Sequence, residues 1–162
     1  MTNQINQIIN KPYDQVLNDN NDPQSRSKII SVFNNKGLTL IDGPQYGIDL
    51  ITPCKTIGIE LERKPRWLDS SSPLTSNTPF ITLLARKSKY FLGTSYYYCS
   101  SFNNIFILYL SSDLSSCMVI DRPTILPYLT DQYKIAKSSY INNNNYEYYY
   151  TIPTECWKYI RL

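Results

Sequence analysis

The sequence predicts a single α/β domain in which an N-terminal helix packs on a β-sheet. Three observations carry this. The chain has 162 residues, a length at which one core forms and buries roughly two-thirds of the unfolded surface. Short segments of alternating apolar and polar residues recur between Leu38 and Ile152, and a period of two belongs to strands. One segment, Ser25 to Phe33, instead spaces Ile29, Val32 and Phe33 for one helical face behind a serine cap, and Asn34-Asn35-Lys36-Gly37 supplies a stop.

Taken in order, residues 1–24 form a polar, Asn-rich arm broken by Pro12 and Pro23, with a short helix expected around Ile5 to Ile9. Residues 25–162 form the domain. After the Ser25 to Phe33 helix, Leu38 to Ile41 reads as a strand, Asp42-Gly43-Pro44-Gln45 as a turn, and Gly47 to Thr52 as a second strand ended by Pro53. Lys55 to Lys64 is its partner. Phe80 to Ala85 is a further strand beyond a Pro/Ser-rich stretch. Thr94 to Cys99 and Ile105 to Leu110 are expected to form a hairpin around Asn103-Asn104. Ser116 to Ile120 is a strand, Arg122 to Leu129 a helix entered through Pro123, and Tyr146 to Ile152 a closing strand. Pro153 to Leu162 is a tail whose Trp157 folds back on the body.

Composition removes several chemistries. There is no histidine, which excludes Ser-His-Asp and Cys-His nucleophile systems and His-ligated metals. The five glycines form neither GxGxxG nor GxxxxGK[ST], so no phosphate cradle of the dinucleotide or P-loop kind is present. Cys54, Cys99, Cys117 and Cys156 contain no CxxC pair, and the first 15 residues have no apolar leader, so free thiols and a soluble intracellular protein are expected. The longest apolar run, Ile105 to Leu110, is too short to span a bilayer. Net charge is only +3, but seven basic residues against three acidic ones lie between Lys55 and Lys89. The tyrosine clusters at 96–98 and 148–150 read as half-buried strand residues, with a base-stacking platform as the sharper alternative.

One arrangement carries chemistry. Asp49 sits in an otherwise apolar strand, where carboxylates are depleted. On the next strand Ile57, Ile59 and Leu61 alternate with Glu60, Glu62 and Lys64, so a hairpin brings Asp49 beside a face bearing two glutamates and a lysine. Clustered carboxylates repel, and a hard divalent cation relieves that repulsion. No histidine is needed. The alternative is an edge strand whose Glu60, Glu62 and Lys64 are merely solvated.

With Ile48-Asp49-Leu50-Ile51 followed by Gly58-Ile59-Glu60-Leu61-Glu62-Arg63-Lys64, the sequence resembles the PD-(D/E)xK nuclease superfamily of restriction endonucleases, junction resolvases and phage or viral exonucleases. The resemblance implies a restriction-endonuclease-like fold, a mixed β-sheet core flanked by helices, covering residues 25–66 best. It implies Asp49 and Glu62 as ligands of Mg²⁺ or Mn²⁺ with Glu60 an added or alternative ligand, Lys64 at the attacking water, and DNA as substrate. The Glu-x-Glu-x-Lys string leaves the slots open: with Glu60 in the first, Glu62 occupies the lysine position. The proline before Asp49 is absent, and the predicted helix has no acid, leaving Asp14 or Asp42 to substitute.

Two basic-aromatic clusters, Arg63, Arg66 and Trp67, then Arg86, Lys87 and Lys89 with Tyr90, are candidate DNA contacts. A solvated face is the plainer reading of each. No membrane partner is expected, and a homodimer is left open. Cys54 is read as an incidental thiol, and Asp113, Asp121 and Asp131 as caps. The function expected is Mg²⁺-dependent phosphodiester hydrolysis. Its alternative is an inactive module of that fold holding nucleic acid or a protein, as in a viral or mobile-element particle. A glycosidase is disfavoured because Glu60 and Glu62 lie on one strand face without opposed geometry.

Overall fold

The computed structural model describes residues 15–44, 47–69, 79–92, 102–138 and 146–162. Helix α1, Gln15–Asn35, is longer than the pattern suggests and passes through Pro23. Residues 15–24 therefore continue the helix rather than forming a separate arm; the helix expected at Ile5 to Ile9 lies outside the described residues. A proline inside a helix removes one hydrogen bond, and tertiary contacts just beyond it compensate. Arg63 donates from Nε to Ser25 Oγ at 3.0 Å and from Nη2 to Gln24 Oε1 at 3.4 Å. The predicted stop holds. Gly37 adopts φ +87°, Leu38 N–H donates to Phe33 O and Gly37 N–H to Asn34 O, the two bonds that close a helix around a left-handed residue.

Among the described residues six strands form one sheet: β1 Ile41–Asp42, β2 Leu50–Ile51, β3 Ile57–Arg63, and then β5 Asn104–Leu110, β6 Ser116–Asp121 and β9 Lys158–Arg161. Their order is β1-β2-β3-β5-β6-β9, antiparallel except for the parallel pair β3 and β5. A parallel pair requires a crossover. Within it lie the short helices α2, Pro65–Leu68, and α3, Ser88–Leu92, and strand β4, Phe80–Leu84. β4 belongs to a second sheet, β4-β8-β7, with β7 Lys134–Ser138 and β8 Tyr146–Pro153.

Each face of the large sheet is covered. Ile29 of α1, with Ile30 and Phe33, packs on Leu50, Ile59, Leu61, Leu108 and Leu110. On the opposite face Ile105, Ile107, Tyr109, Met118 and Ile120 meet Ile81, Leu83, Tyr150 and Ile152 of the small sheet. Tyr109 joins the layers, its hydroxyl donating to Thr82 O at 2.8 Å and its ring stacking on Trp157 at 4.8 Å. Burial on both sides explains why β5 reads Ile-Phe-Ile-Leu-Tyr-Leu with hardly any alternation.

Several expected elements shift. β1 and β2 have two residues each, because the chain between them turns sharply and Gly43 N–H donates to Asp49 O at 2.8 Å. The segment Thr94 to Cys99 lies outside the described residues, and the neighbours of β5 are β3 and β6. The helix after β6, α4 Arg122–Ile125, is capped by Asp121, whose side chain accepts from Thr124 N–H, and then tightens into a 3₁₀ turn, Leu126–Tyr128. β7 is an addition to the sequence reading. The tail folds back as expected and adds β9, with Trp157 buried. The solvated-edge alternative for β3 is excluded by position: it runs between β2 and β5, and Glu60 is 2% exposed.

Candidate functional site

The register Leu50↔Ile59 places Asp49, one residue before β2, beside Glu60. Asp49 is held at every oxygen. Its Oδ2 accepts Leu61 N–H at 2.7 Å, its Oδ1 accepts Arg26 Nη2 at 3.0 Å, and its carbonyl accepts Arg26 Nη1 at 2.9 Å. Arg26 Nη1 also reaches Asp42 Oδ1 at 3.2 Å. One guanidinium thus ties α1 to both arms of the β1–β2 turn. Gly43 closes that turn without room for a side chain, since a Cβ there would fall 1.9 Å from Ile48 O.

Glu60 faces the same cleft. Its Oε2 is 2.5 Å from Lys87 Nζ, while Oε1 is buried with no hydrogen-bond partner among the described residues. Burial raises the Glu60 carboxyl above the usual range, the Lys87 charge opposes that and Asp49 adds to it. Lys87 comes from the 3₁₀ turn Ala85–Lys87 that follows β4. Burial would lower its ammonium, but Glu60 and Glu62 together raise it, so Lys87 stays protonated. Arg26, Asp42, Asp49, Glu60, Lys87 and Tyr90 line a cleft of about 670 Å³, within the range of small-molecule and nucleotide-sized sites.

The other predicted residues are distributed as follows. Glu62 lies one step along the same face, its Oε1 3.0 Å from Lys64 Nζ and its Oε2 buried without a partner among the described residues. Lys64 rests against Glu62 and over the Tyr109 ring at 5.6 Å, so the lysine brought to the acidic pair is Lys87 and not Lys64. Arg63 points to the opposite face, where it bonds Gln24, Ser25 and Ser112 O. Trp67 is half-buried against the core, and the side chain of Arg66 lies outside what the structure describes. Arg86 is exposed, 3.7 Å from Glu147. Lys89 is exposed at 5.3 Å from the Tyr90 ring centre, which Lys87 also approaches at 5.7 Å.

Sequence reasoning missed Arg26. The signal was present: Arg26 shares the 26, 29/30, 33 stripe that faces the sheet, where an arginine needs a buried partner. Elsewhere, Asp121 caps α4 as expected, Asp113 lies in the turn between β5 and β6, where its Oδ1 accepts from Ser115 N–H at 3.1 Å, and Asp131 makes no side-chain cap. Cys54, Cys117 and Cys156 are free thiols. Among the described residues no helix is long and apolar enough to cross a membrane.

A cation can be tested against this donor set. Among the described residues no three Asp, Glu or Cys side chains converge to hold one by themselves. Asp49 and Glu60 supply two hard oxygen donors, one of them the orphaned Glu60 Oε1. Mg²⁺ is commonly held by one or two carboxylates with the remaining positions filled by water, so the pair fits that ion. Protein-family models, curated proteins and solved structures offer no match to this chain.

Proposed function

We propose that this chain is a divalent-cation-dependent deoxyribonuclease with a restriction-endonuclease-like fold. The observation that carries the reading is the meeting of Asp49 and Glu60 on neighbouring strands, with a buried unpartnered oxygen on Glu60 and the Lys87 ammonium against it. The helix on the sheet, the antiparallel β1–β2–β3 run and the mixed pairing of β3 with β5 support it. Asp49 and Glu60 would hold Mg²⁺ or Mn²⁺; such a cation, when bound, polarises a phosphoryl oxygen and acidifies water.

The side chains do the rest. Leu61 N–H and Arg26 fix the aim of the Asp49 carboxylate. Lys87, charged throughout the neutral range, offsets negative charge gathering on the phosphorus centre. Tyr90 gives the cleft an aromatic wall for a sugar or base, and Lys89 at its rim attracts the backbone.

The test is cleavage of plasmid and branched-junction DNA with Mg²⁺, Mn²⁺ or chelator. Asp49→Asn should lower the rate by roughly 10²–10³-fold, the scale of losing one charge-stabilising group, while DNA binding persists. Near-normal Mg²⁺-dependent cleavage by that variant would refute the assignment. One observation favours a second reading, an inactive module that holds DNA or a protein partner: Arg26 and Lys87 already balance both carboxylates. Mn²⁺ uptake in the presence of an oligonucleotide, lost in Glu60→Gln, marks a live site; absence of uptake in the native chain marks the second reading.

A further inference from the structure

Two acids and two bases meet in the cleft in alternation. Arg26 pairs with Asp49 at 3.0 Å, and Lys87 pairs with Glu60 at 2.5 Å. The third acid, Asp42, has a side chain 70% exposed, so water screens most of its charge. With both acids ionised the half-buried centre is close to neutral before anything binds; a proton kept on Glu60 leaves it about one charge positive, and a bound ion displaces that proton. A divalent ion entering it would leave about two uncompensated positive charges in a partly dry site, where charges act over short range with little screening. A phosphodiester alone would meet the Asp49 carboxylate and would oppose ionisation of Glu60. Either ligand is opposed by charges that the other removes.

We propose that Arg26 and Lys87 are resident countercations which make the divalent ion and the phosphodiester bind cooperatively. The inference rests on the nuclease reading above and adds its regulation: each ligand prepares the site for the other. When both are present the cation sits with Asp49 and Glu60, and the diester anion takes over the two bases, whose side chains are each about a quarter exposed toward the cleft. The arrangement suits an anionic backbone specifically. A neutral ligand of the same shape would not discharge Arg26 and Lys87. Linkage requires the effect to be mutual, the ion tightening the diester by the same factor. Free cation then holds the cleft more weakly without its substrate than with it.

The experiment measures Mn²⁺ affinity of the full chain by electron paramagnetic resonance, alone, with a phosphorothioate oligothymidylate that keeps the backbone charge and resists hydrolysis, and with an uncharged methylphosphonate oligothymidylate. The phosphorothioate should tighten Mn²⁺ binding by about tenfold or more, the scale expected for removing a nearby unit charge, and the methylphosphonate should leave it unchanged. Arg26→Gln should bind Mn²⁺ alone about tenfold more tightly than the native chain and show weaker coupling, whereas Arg26→Lys, which keeps the charge but not the fork, should lie closer to the native values than Arg26→Gln does. Circular dichroism confirms that each variant is folded. Equal Mn²⁺ affinity with and without the phosphorothioate would overturn the inference, as would an Arg26→Gln that binds Mn²⁺ no more tightly than the native chain. Mn²⁺-dependent cleavage without coupling would sink this inference alone; no Mn²⁺ uptake in any arm would sink it together with the nuclease reading.

Discussion

Glu60→Gln should make the protein more stable, and by an amount that grows with pH. Glu60 is 2% exposed and its carboxyl is pushed up to about 8 from an ordinary 4.5. Between those values the folded chain keeps a proton that the unfolded chain has released. Folding takes up that proton, so native stability falls as pH rises through the window, by at most about 1.4 kcal/mol per pH unit. Across the whole window the ceiling is about 5 kcal/mol. Glutamine does not titrate and escapes the loss. It has the shape of the protonated carboxyl and keeps an oxygen for Lys87, so below the window little changes. The variant should match the native protein within about 1 kcal/mol at pH 5 and exceed it by roughly 3–4 kcal/mol at pH 8. Urea denaturation at half-unit pH steps reads this directly. A variant less stable at pH 8, or a difference that does not change with pH, would refute the reasoning that burial of this carboxyl strains the fold.

Two further outcomes follow from named geometry. Gly43→Ala should cost about 1–3 kcal/mol, the usual scale of a forced overpacking, because the new Cβ would sit 1.9 Å from Ile48 O; thermal melting checks the loss, and a neutral result would show that the β1–β2 turn is free to move. Cys54 is exposed and its thiol is lowered to about 7 by its hydrogen bonds with Thr52 and Thr56, whereas burial pushes Cys117 up to about 12. Alkylation followed by mass spectrometry should therefore label Cys54 first, with its rate half-maximal near pH 7 and not near 9, and label Cys117 only after unfolding.

How much could be read in advance divides along the range of the interactions. Alternation from Ile57 to Lys64 is local, and it correctly set Glu60 and Glu62 on one face with Asp49 beside them. It could not say what lies over that face. The cover is the small sheet, whose pairing Phe80↔Pro153 joins segments far apart in the chain. The same blindness misplaced the lysine. Lys64 shares the face but stands four residues from Glu60, about 13 Å along an extended strand, and only the path of the crossover could reveal that Lys87 returns to that carboxylate. Asp49 stood out because it interrupts an apolar strand. Arg26 did not, because its helix was read for apolar spacing alone.

The crossover strand β4 has its partner, β8, beginning more than sixty residues downstream. Lys87 follows β4 directly, so the seat of its ammonium is settled only when the last third of the polypeptide has docked. The finished cleft thus depends on a strand near the far end of the polypeptide, because the element that leads into Lys87 is held in place by β8.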